Sequence, residues 1–126
     1  MQFCVRGAAK FVAHDHCSIC RRVAGAAYVT WAGFLEEQVE ITSGKESITT
    51  FASTSEGTRQ FCSRCGSHLF FRGKNWPGEV HITLATIHDS EGLKPKAHVY
   101  FSDRAPWASF DGELPRFGGK TGNEPC

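Results

Sequence analysis

The sequence predicts a small, mainly β protein. Short segments rich in β-branched and aromatic residues alternate with turn signals along the chain. The clearest of these segments places Val80, Ile82 and Leu84 on one face of a half-buried strand. No helical periodicity persists beyond about two turns. The mainly β fold class is therefore predicted from the strand patterns and from the lack of a long amphipathic helix.

Length, charge and hydropathy exclude several classes of function for this protein. At 126 residues the chain predicts one domain with a modest core. Fourteen basic and thirteen acidic side chains give a net charge of +1, which argues against a nucleic-acid or anionic-membrane partner. No apolar run reaches membrane-spanning length, and the N-terminal segment lacks the apolar core of a signal peptide. These features predict a cytoplasmic protein whose paired cysteines bind metal rather than form disulfides, with Cys126 as a free thiol.

The predicted strands are separated by short turns. They cover residues 11–13, 28–31, 39–41, 47–51, 67–72, 80–84 and 97–101. The turn signal at residues 43–45 predicts that strands 39–41 and 47–51 pair as a hairpin. Residues 17–27 are interpreted as a metal knuckle followed by a turn of small residues. A single domain over residues 1–117 is expected, with residues 118–126 as a flexible C-terminal tail.

Two cysteine pairs of identical spacing dominate the chain. They are Cys17-Ser18-Ile19-Cys20 and Cys62-Ser63-Arg64-Cys65. A Cys-x-x-Cys turn directs two thiolates at one tetrahedral ion, and two such turns can close a zinc site. On this reading alone, the four thiolates form one structural site that contributes on the order of 10 kcal/mol to folding. That interpretation leaves Cys4 unused.

Several motifs together resemble a known family. The matching segments are His16-Cys17-Ser18-Ile19-Cys20-Arg21-Arg22 with Gly25, Gly57 with Phe61-Cys62-Ser63-Arg64-Cys65-Gly66, and the downstream residues His98, Asp103-Arg104, Pro106-Trp107 and Leu114-Pro115-Arg116-Phe117. In this combination and order, the chain resembles the glutathione-dependent formaldehyde-activating enzymes, a family that includes the centromere protein V-like proteins. The resemblance runs from about Cys4 to Phe117. It implies an Mss4-like β-tent of small antiparallel sheets with zinc knuckles, also found in methionine sulfoxide reductase B.

The resemblance also implies two zinc ions with different tasks. The structural ion is held in the family by an early Cys-x-Cys and by the pair that matches Cys62 and Cys65. The catalytic ion is held by a Cys-x-Cys-x-x-Cys run whose last two cysteines match Cys17 and Cys20. The family thus separates the two pairs that the simpler interpretation places on one ion.

The chain departs from the family pattern at two positions. Arg6 stands where the early Cys-x-Cys has its second cysteine, and Asp15 stands where the catalytic run has its first. A carboxylate is an acceptable zinc ligand, so Asp15, Cys17 and Cys20 can hold a catalytic ion with an open fourth position. A permanently protonated Arg6 cannot replace a thiolate.

The structural site would then contain Cys4, Cys62 and Cys65 with a fourth ligand that the sequence does not identify. Three interpretations stay open: two zinc sites with one impaired, one shared four-cysteine site, or a site without metal.

The resemblance places three further residues at a substrate cleft. His98 would relay a proton as a catalytic residue, and Arg104 and Trp107 would bind glutathione. Read without the resemblance, the same residues are a sheet histidine, a surface arginine in a turn and a tryptophan that covers the core.

The sequence predicts a zinc-dependent carbon–sulfur lyase-like protein acting on glutathione–aldehyde adducts, similar to an S-hydroxymethylglutathione synthase. Its partners would be a small thiol and a small aldehyde, with the oligomeric state open. The alternative is a non-catalytic zinc-stabilised binding module. A thiol oxidoreductase of the methionine sulfoxide reductase type ranks third, because it needs a reactive cysteine outside the metal sites, and only Cys4 and Cys126 are candidates.

Overall fold

One large sheet contains most of the strands. The computed structural model describes residues 1–126. Its strands and single α-helix are, in chain order, β1 (Gln2–Val5), β2 (Phe11–Asp15), α1 (Ser18–Ala24), β3 (Val29–Leu35), β4 (Val39–Ser43), β5 (Ile48–Thr54), β6 (Gly57–Cys62), β7 (His68–Gly73), β8 (Glu79–Thr83), β9 (His98–Val99), β10 (Phe117–Gly118) and β11 (Glu124–Pro125). Seven strands form the sheet in the order β5-β6-β7-β8-β3-β2-β9, and only the β2–β9 pair is parallel.

Two small sheets complete the architecture. Strands β1 and β4 pair antiparallel, and β10 and β11 form a two-residue ladder near the C-terminus. Four short 3₁₀ turns connect strands, at Glu36–Gln38, Lys45–Ser47, Leu84–Thr86 and Phe101–Asp103. The single α-helix has only seven residues, and no helix has the length and apolar character needed to cross a bilayer. The prediction of a mainly β fold is confirmed.

The main core lies between the large sheet and the β1–β4 ribbon. Phe34, Phe70, Val80 and Ile82 are each at most 1% exposed. Phe3 of β1 packs edge-on against Phe70, with the ring centroids 5.3 Å apart. Burial of these apolar side chains is the chief stabilising contribution to the fold.

The opposite face of the same sheet carries a second, smaller cluster. Its buried members are Cys20, Val29 and Trp31, and Phe11 and Phe71 pack against them. Successive side chains of a strand point to opposite faces, so β2, β3 and β7 each contribute to both clusters. The main core therefore lies on one side of the sheet, and Cys20 of the first cysteine pair lies on the other.

Two strand predictions differ from the structure. The hairpin predicted between residues 39–41 and 47–51 is wrong, because β4 pairs with β1 and β5 pairs with β6. Strand β8 was expected to be half-buried, yet His81 and Thr83 are each only 6% exposed. Packing on both faces of the sheet covers the polar side chains of β8 as well as its apolar ones.

Three further segments refine the predicted organisation. Within residues 17–27, the predicted knuckle includes α1, which ends at Gly25 with a φ of 62°. The last predicted strand is limited to β9, because Tyr100 has a φ of 51° and turns the chain into a 3₁₀ turn. Residues 118–126, expected as a loose tail, contain β11 and fold back onto β10.

Candidate metal centre

The junction of β2 and α1 brings together the three predicted ligands of the catalytic site. Asp15 is the last residue of β2, Cys17 directly precedes α1, and Cys20 lies in its first turn. One carboxylate oxygen and two sulfur atoms lie within 4.8 Å of one another. No other group of three or more His, Cys, Asp or Glu ligand atoms in residues 1–126 meets this distance.

Hydrogen bonds hold this cluster in shape. The backbone amide of Cys17 donates to Oδ1 of Asp15 at 2.9 Å. The Cys20 thiol lies 3.6 Å from the other carboxyl oxygen, Oδ2. The carboxyl group is thus oriented by its own chain toward both thiols, which is the arrangement that a shared ion requires.

The pKa values of the three groups respond to their mutual contact. Burial raises the pKa of Asp15 to about 7. A hydrogen bond from the Cys20 thiol lowers the pKa of Cys17 to about 5, while that bond and burial raise the pKa of Cys20. In the metal-free protein at neutral pH, Cys17 is therefore the thiolate of the pair and Cys20 keeps its proton.

Arg59 completes the electrostatic environment of the cluster. This residue of β6 is only 3% exposed, and its Nη2 donates to Cys20 Sγ at 3.3 Å. Its Nε donates to Ser53 Oγ at 2.9 Å, and its guanidinium carbon lies 4.9 Å from the ring centroid of Phe71. The sequence does not identify Arg59, since β6 was not among the predicted strands and a single arginine carries no local signal of burial.

The donor set fits a zinc ion. Two thiolates and one carboxylate are ligands that zinc accepts, and three protein ligands are typical of a catalytic site with an open position. These ligands with a divalent ion would carry a net charge of −1, and the buried guanidinium of Arg59 offsets it. The residues of this chain that would hold the ion are Asp15, Cys17 and Cys20.

The cluster opens into a cavity of about 630 Å³. Tyr100 lines this cavity, and burial together with the charges of Asp15, Cys17 and Cys20 raises the pKa of its hydroxyl to about 12. The hydroxyl therefore stays protonated at neutral pH and is available as a donor. Tyr100 is the single non-glycine residue with a positive φ, a strained conformation that is often found at functional sites. The sequence gives no sign of this conformation.

The second cysteine pair lies elsewhere in the sheet. Cys62 is buried at the end of β6, and Cys65 is exposed. Hydrogen bonds with Ser67, and then one with Cys62, lower the pKa of Cys65. Neither belongs to the cluster around Asp15, so the structure does not gather the two pairs at one ion. Cys4 is exposed on β1, opposite Glu40. A structural site of Cys4, Cys62 and Cys65 stays a prediction.

His98 lies on the other side of strand β9 from the cavity. Ala97 and Val99 line the cavity, while the His98 ring points away from it and is 9% exposed. His98 Nδ1 lies 2.8 Å from His16 Nε2. Burial lowers the pKa of both histidines, to about 4 for His16, so both are neutral at pH 7. A catalytic role of His98 stays a prediction.

The two predicted glutathione-binding residues do not line the cavity either. Arg104 donates to the carbonyl oxygen of Phe101 at 3.1 Å, and its guanidinium stacks on the Phe101 ring at 4.7 Å. Trp107 is 71% exposed. Their contact with glutathione stays a prediction.

The fold and the cluster together define a small, mainly β protein with a candidate metal centre in the lining of a cavity. The family model for the glutathione-dependent formaldehyde-activating enzyme matches residues 1–103, and the chain belongs to this family. The suspected family is confirmed.

A curated relative and a solved structure are also similar to the chain. A Halomonas elongata protein, provisionally named as a glutathione-dependent formaldehyde-activating enzyme, is 29% identical over 103 residues. The match spans 76% of this chain and 65% of the relative's length. A crystal structure of a Rhodobacter sphaeroides protein matches with a TM-score of 0.58 and 21% identity, over 74% of this chain and 82% of that one. This structural likeness supports the fold alone.

Proposed function

We propose that this protein is a zinc-dependent, carbon–sulfur lyase-like enzyme that interconverts glutathione and an aldehyde with their S-(hydroxyalkyl) adduct. The observation that carries the proposal is the gathering of Asp15, Cys17 and Cys20 within 4.8 Å in the lining of a cavity. Family membership supports the choice of glutathione and formaldehyde-type substrates. A small-molecule cavity next to a three-ligand set favours catalysis over a purely structural ion.

The chemistry of the adduct requires one bond and one proton transfer. The sulfur–carbon bond forms, and the thiol proton ends on the former carbonyl oxygen. A zinc ion bound by the three ligands supplies a Lewis acid for this reaction. The chain's own residues orient and balance the site: the Cys17 amide fixes the Asp15 carboxylate, and Arg59 compensates the negative charge beside Cys20. Tyr100 holds a proton at Oη that it can donate to the developing alkoxide oxygen, and the proton released by the thiol then restores the hydroxyl.

The test combines metal analysis with an exchange measurement. We expect at least one zinc per chain, located at the cluster by anomalous scattering. We also expect accelerated exchange between S-hydroxymethylglutathione and its free components in two-dimensional NMR, which chelation abolishes. Zinc at the cluster without any acceleration would overturn the enzymatic proposal and favour the zinc-stabilised binding module.

Tyr100→Phe tests the proton donor. Loss of the hydroxyl should lower kcat by about 100-fold while KM changes by less than about threefold, since the donor acts in the transition state. Tyr28→Phe is the matched control, because Tyr28 is 37% exposed and lies outside the cavity. Steady-state kinetics of both variants give the kcat and KM values for this comparison. Equal kcat values for Tyr100→Phe and the unmodified protein would remove Tyr100 from the mechanism.

A further inference from the structure

An aromatic wall extends from the metal centre along the cavity. It consists of Phe11, Phe71, Trp76 and His81, all of which line the same cavity as Asp15, Cys17 and Cys20. The His81 ring contacts the other three, with centroid distances of 4.7 Å to Phe11, 5.7 Å to Phe71 and 5.4 Å to Trp76. Aromatic side chains in such an arrangement favour a flat or bulky apolar ligand group.

Three glycines in the sheet provide the space that this wall occupies. A Cβ atom at Gly33 would overlap the Phe11 ring. A Cβ atom at Gly57 would lie 2.7 Å from the Phe71 ring, and one at Gly73 would lie 2.8 Å from the Trp76 indole. Gly57 and Gly73 face each other across β6 and β7. Each of the three rings thus depends on a position without a side chain, which makes the wall a specific feature of the fold.

Of the three lysine and arginine side chains that line the cavity, two are bound to other residues of the protein. Lys10 forms an ion pair with Glu79 at 2.8 Å, and Glu79 also contacts His81 at 3.1 Å. Arg59 donates through Nη2 to Cys20 and through Nε to Ser53, and its buried Nη1 has no partner. Lys96 is the remaining cation in the lining and has no acidic partner. The aromatic wall itself contains no lysine or arginine, so this part of the cavity suits an uncharged group.

We propose that the substrate adduct carries a bulky apolar substituent, such as an aryl ring, on the carbon bonded to sulfur, and that this substituent packs against the aromatic wall. The inference rests on the proposed function, because the reacting sulfur is placed at the metal centre. Formaldehyde adds only one carbon and one oxygen to the sulfur, which is too few atoms to contact the four rings of the aromatic wall. An aldehyde R–CHO with an apolar R group adds to the thiol to give R–CH(OH)–S, and the thiol proton ends on the oxygen.

Isothermal titration calorimetry with two stable thioethers tests the inference without turnover. S-benzylglutathione should bind the intact protein at least about tenfold more tightly than S-methylglutathione, the gain typical of filling an apolar pocket. Trp76→Ala should reduce the ratio of the two affinities to below about threefold. Phe51→Ala, which removes a 37% exposed ring outside the cavity, should leave the ratio unchanged. The comparison within the unmodified protein stands even if Trp76→Ala does not fold.

The outcomes separate this inference from the proposed function. Equal binding of both thioethers overturns the apolar substituent and leaves glutathione as the thiol. Binding of benzyl mercaptan without binding of either glutathione thioether supports the apolar pocket and overturns glutathione. If none of the three compounds binds, both proposals fail. A preference for S-benzylglutathione that persists in Trp76→Ala also contradicts the assignment of the wall.

Discussion

Asp15→Ala should lower the affinity for zinc at the cluster by more than about 100-fold and reduce turnover to the background rate. The reason is that the cluster then retains only two ligands, Cys17 and Cys20, which are too few to hold a catalytic ion firmly. Chelator competition gives the affinity, and the exchange rate of S-hydroxymethylglutathione gives the turnover.

Asp15→Cys should behave in the opposite way. It places a thiolate where the family pattern has one, so we expect zinc affinity equal to or higher than that of the unmodified protein. Glu46→Ala serves as a control, because it removes an exposed carboxylate far in sequence from the cluster. Unchanged zinc affinity in both Asp15 variants would exclude Asp15 as a ligand.

Arg59→Gln should lower the free energy of unfolding by about 3 kcal/mol, a large effect for one side chain. The buried cluster then loses its compensating charge, and Phe71 loses the guanidinium that stacks on its ring. The unfolding free energy of Arg59→Lys should lie between those of the unmodified protein and Arg59→Gln, because lysine retains the charge and lacks the planar guanidinium. Urea unfolding of the metal-free and the zinc-loaded protein measures the difference.

The pH dependence of stability provides a second test of the charge compensation by Arg59. Burial raises the pKa of Asp15 from 3.8 to about 7, so its contribution to stability of the metal-free protein falls as pH rises through this interval. The positive charge of Arg59 opposes this rise in pKa. The difference in unfolding free energy between the unmodified protein and Arg59→Gln should therefore be larger above pH 7 than below it. Arg6→Gln is the matched control: its side chain is 70% exposed, and its surface ion pair with Glu40 is worth at most about 1 kcal/mol. If Arg59→Gln and Arg6→Gln destabilise equally, Arg59 does not compensate the cluster.

The fold class was predictable because strand signals are local. β-branched and aromatic runs identify most strands, and the glycine and proline turns separate them. Strand pairing was not predictable in the same way. The turn at residues 43–45 is compatible with a hairpin, yet β4 joins β1 and β5 joins β6, because pairing depends on which apolar faces the whole sheet can bury.

The sequence by itself determined which residue types meet at the candidate metal centre. The ligand types and the short spacing of Asp15, Cys17 and Cys20 are local properties, and one strand end and one helical turn suffice to bring them together. Only the tertiary structure decided what surrounds them. Arg59 reaches Cys20 from 39 residues away. Tyr100 reaches the same cavity after an unusual backbone turn.

The tertiary structure likewise decided the direction of His98, which β9 turns away from the cavity, and the position of the aromatic wall. Contacts of this kind depend on strand order and on the face that each side chain occupies. Neither is encoded in the spacing of neighbouring residues, since both follow from the burial of the complete sheet.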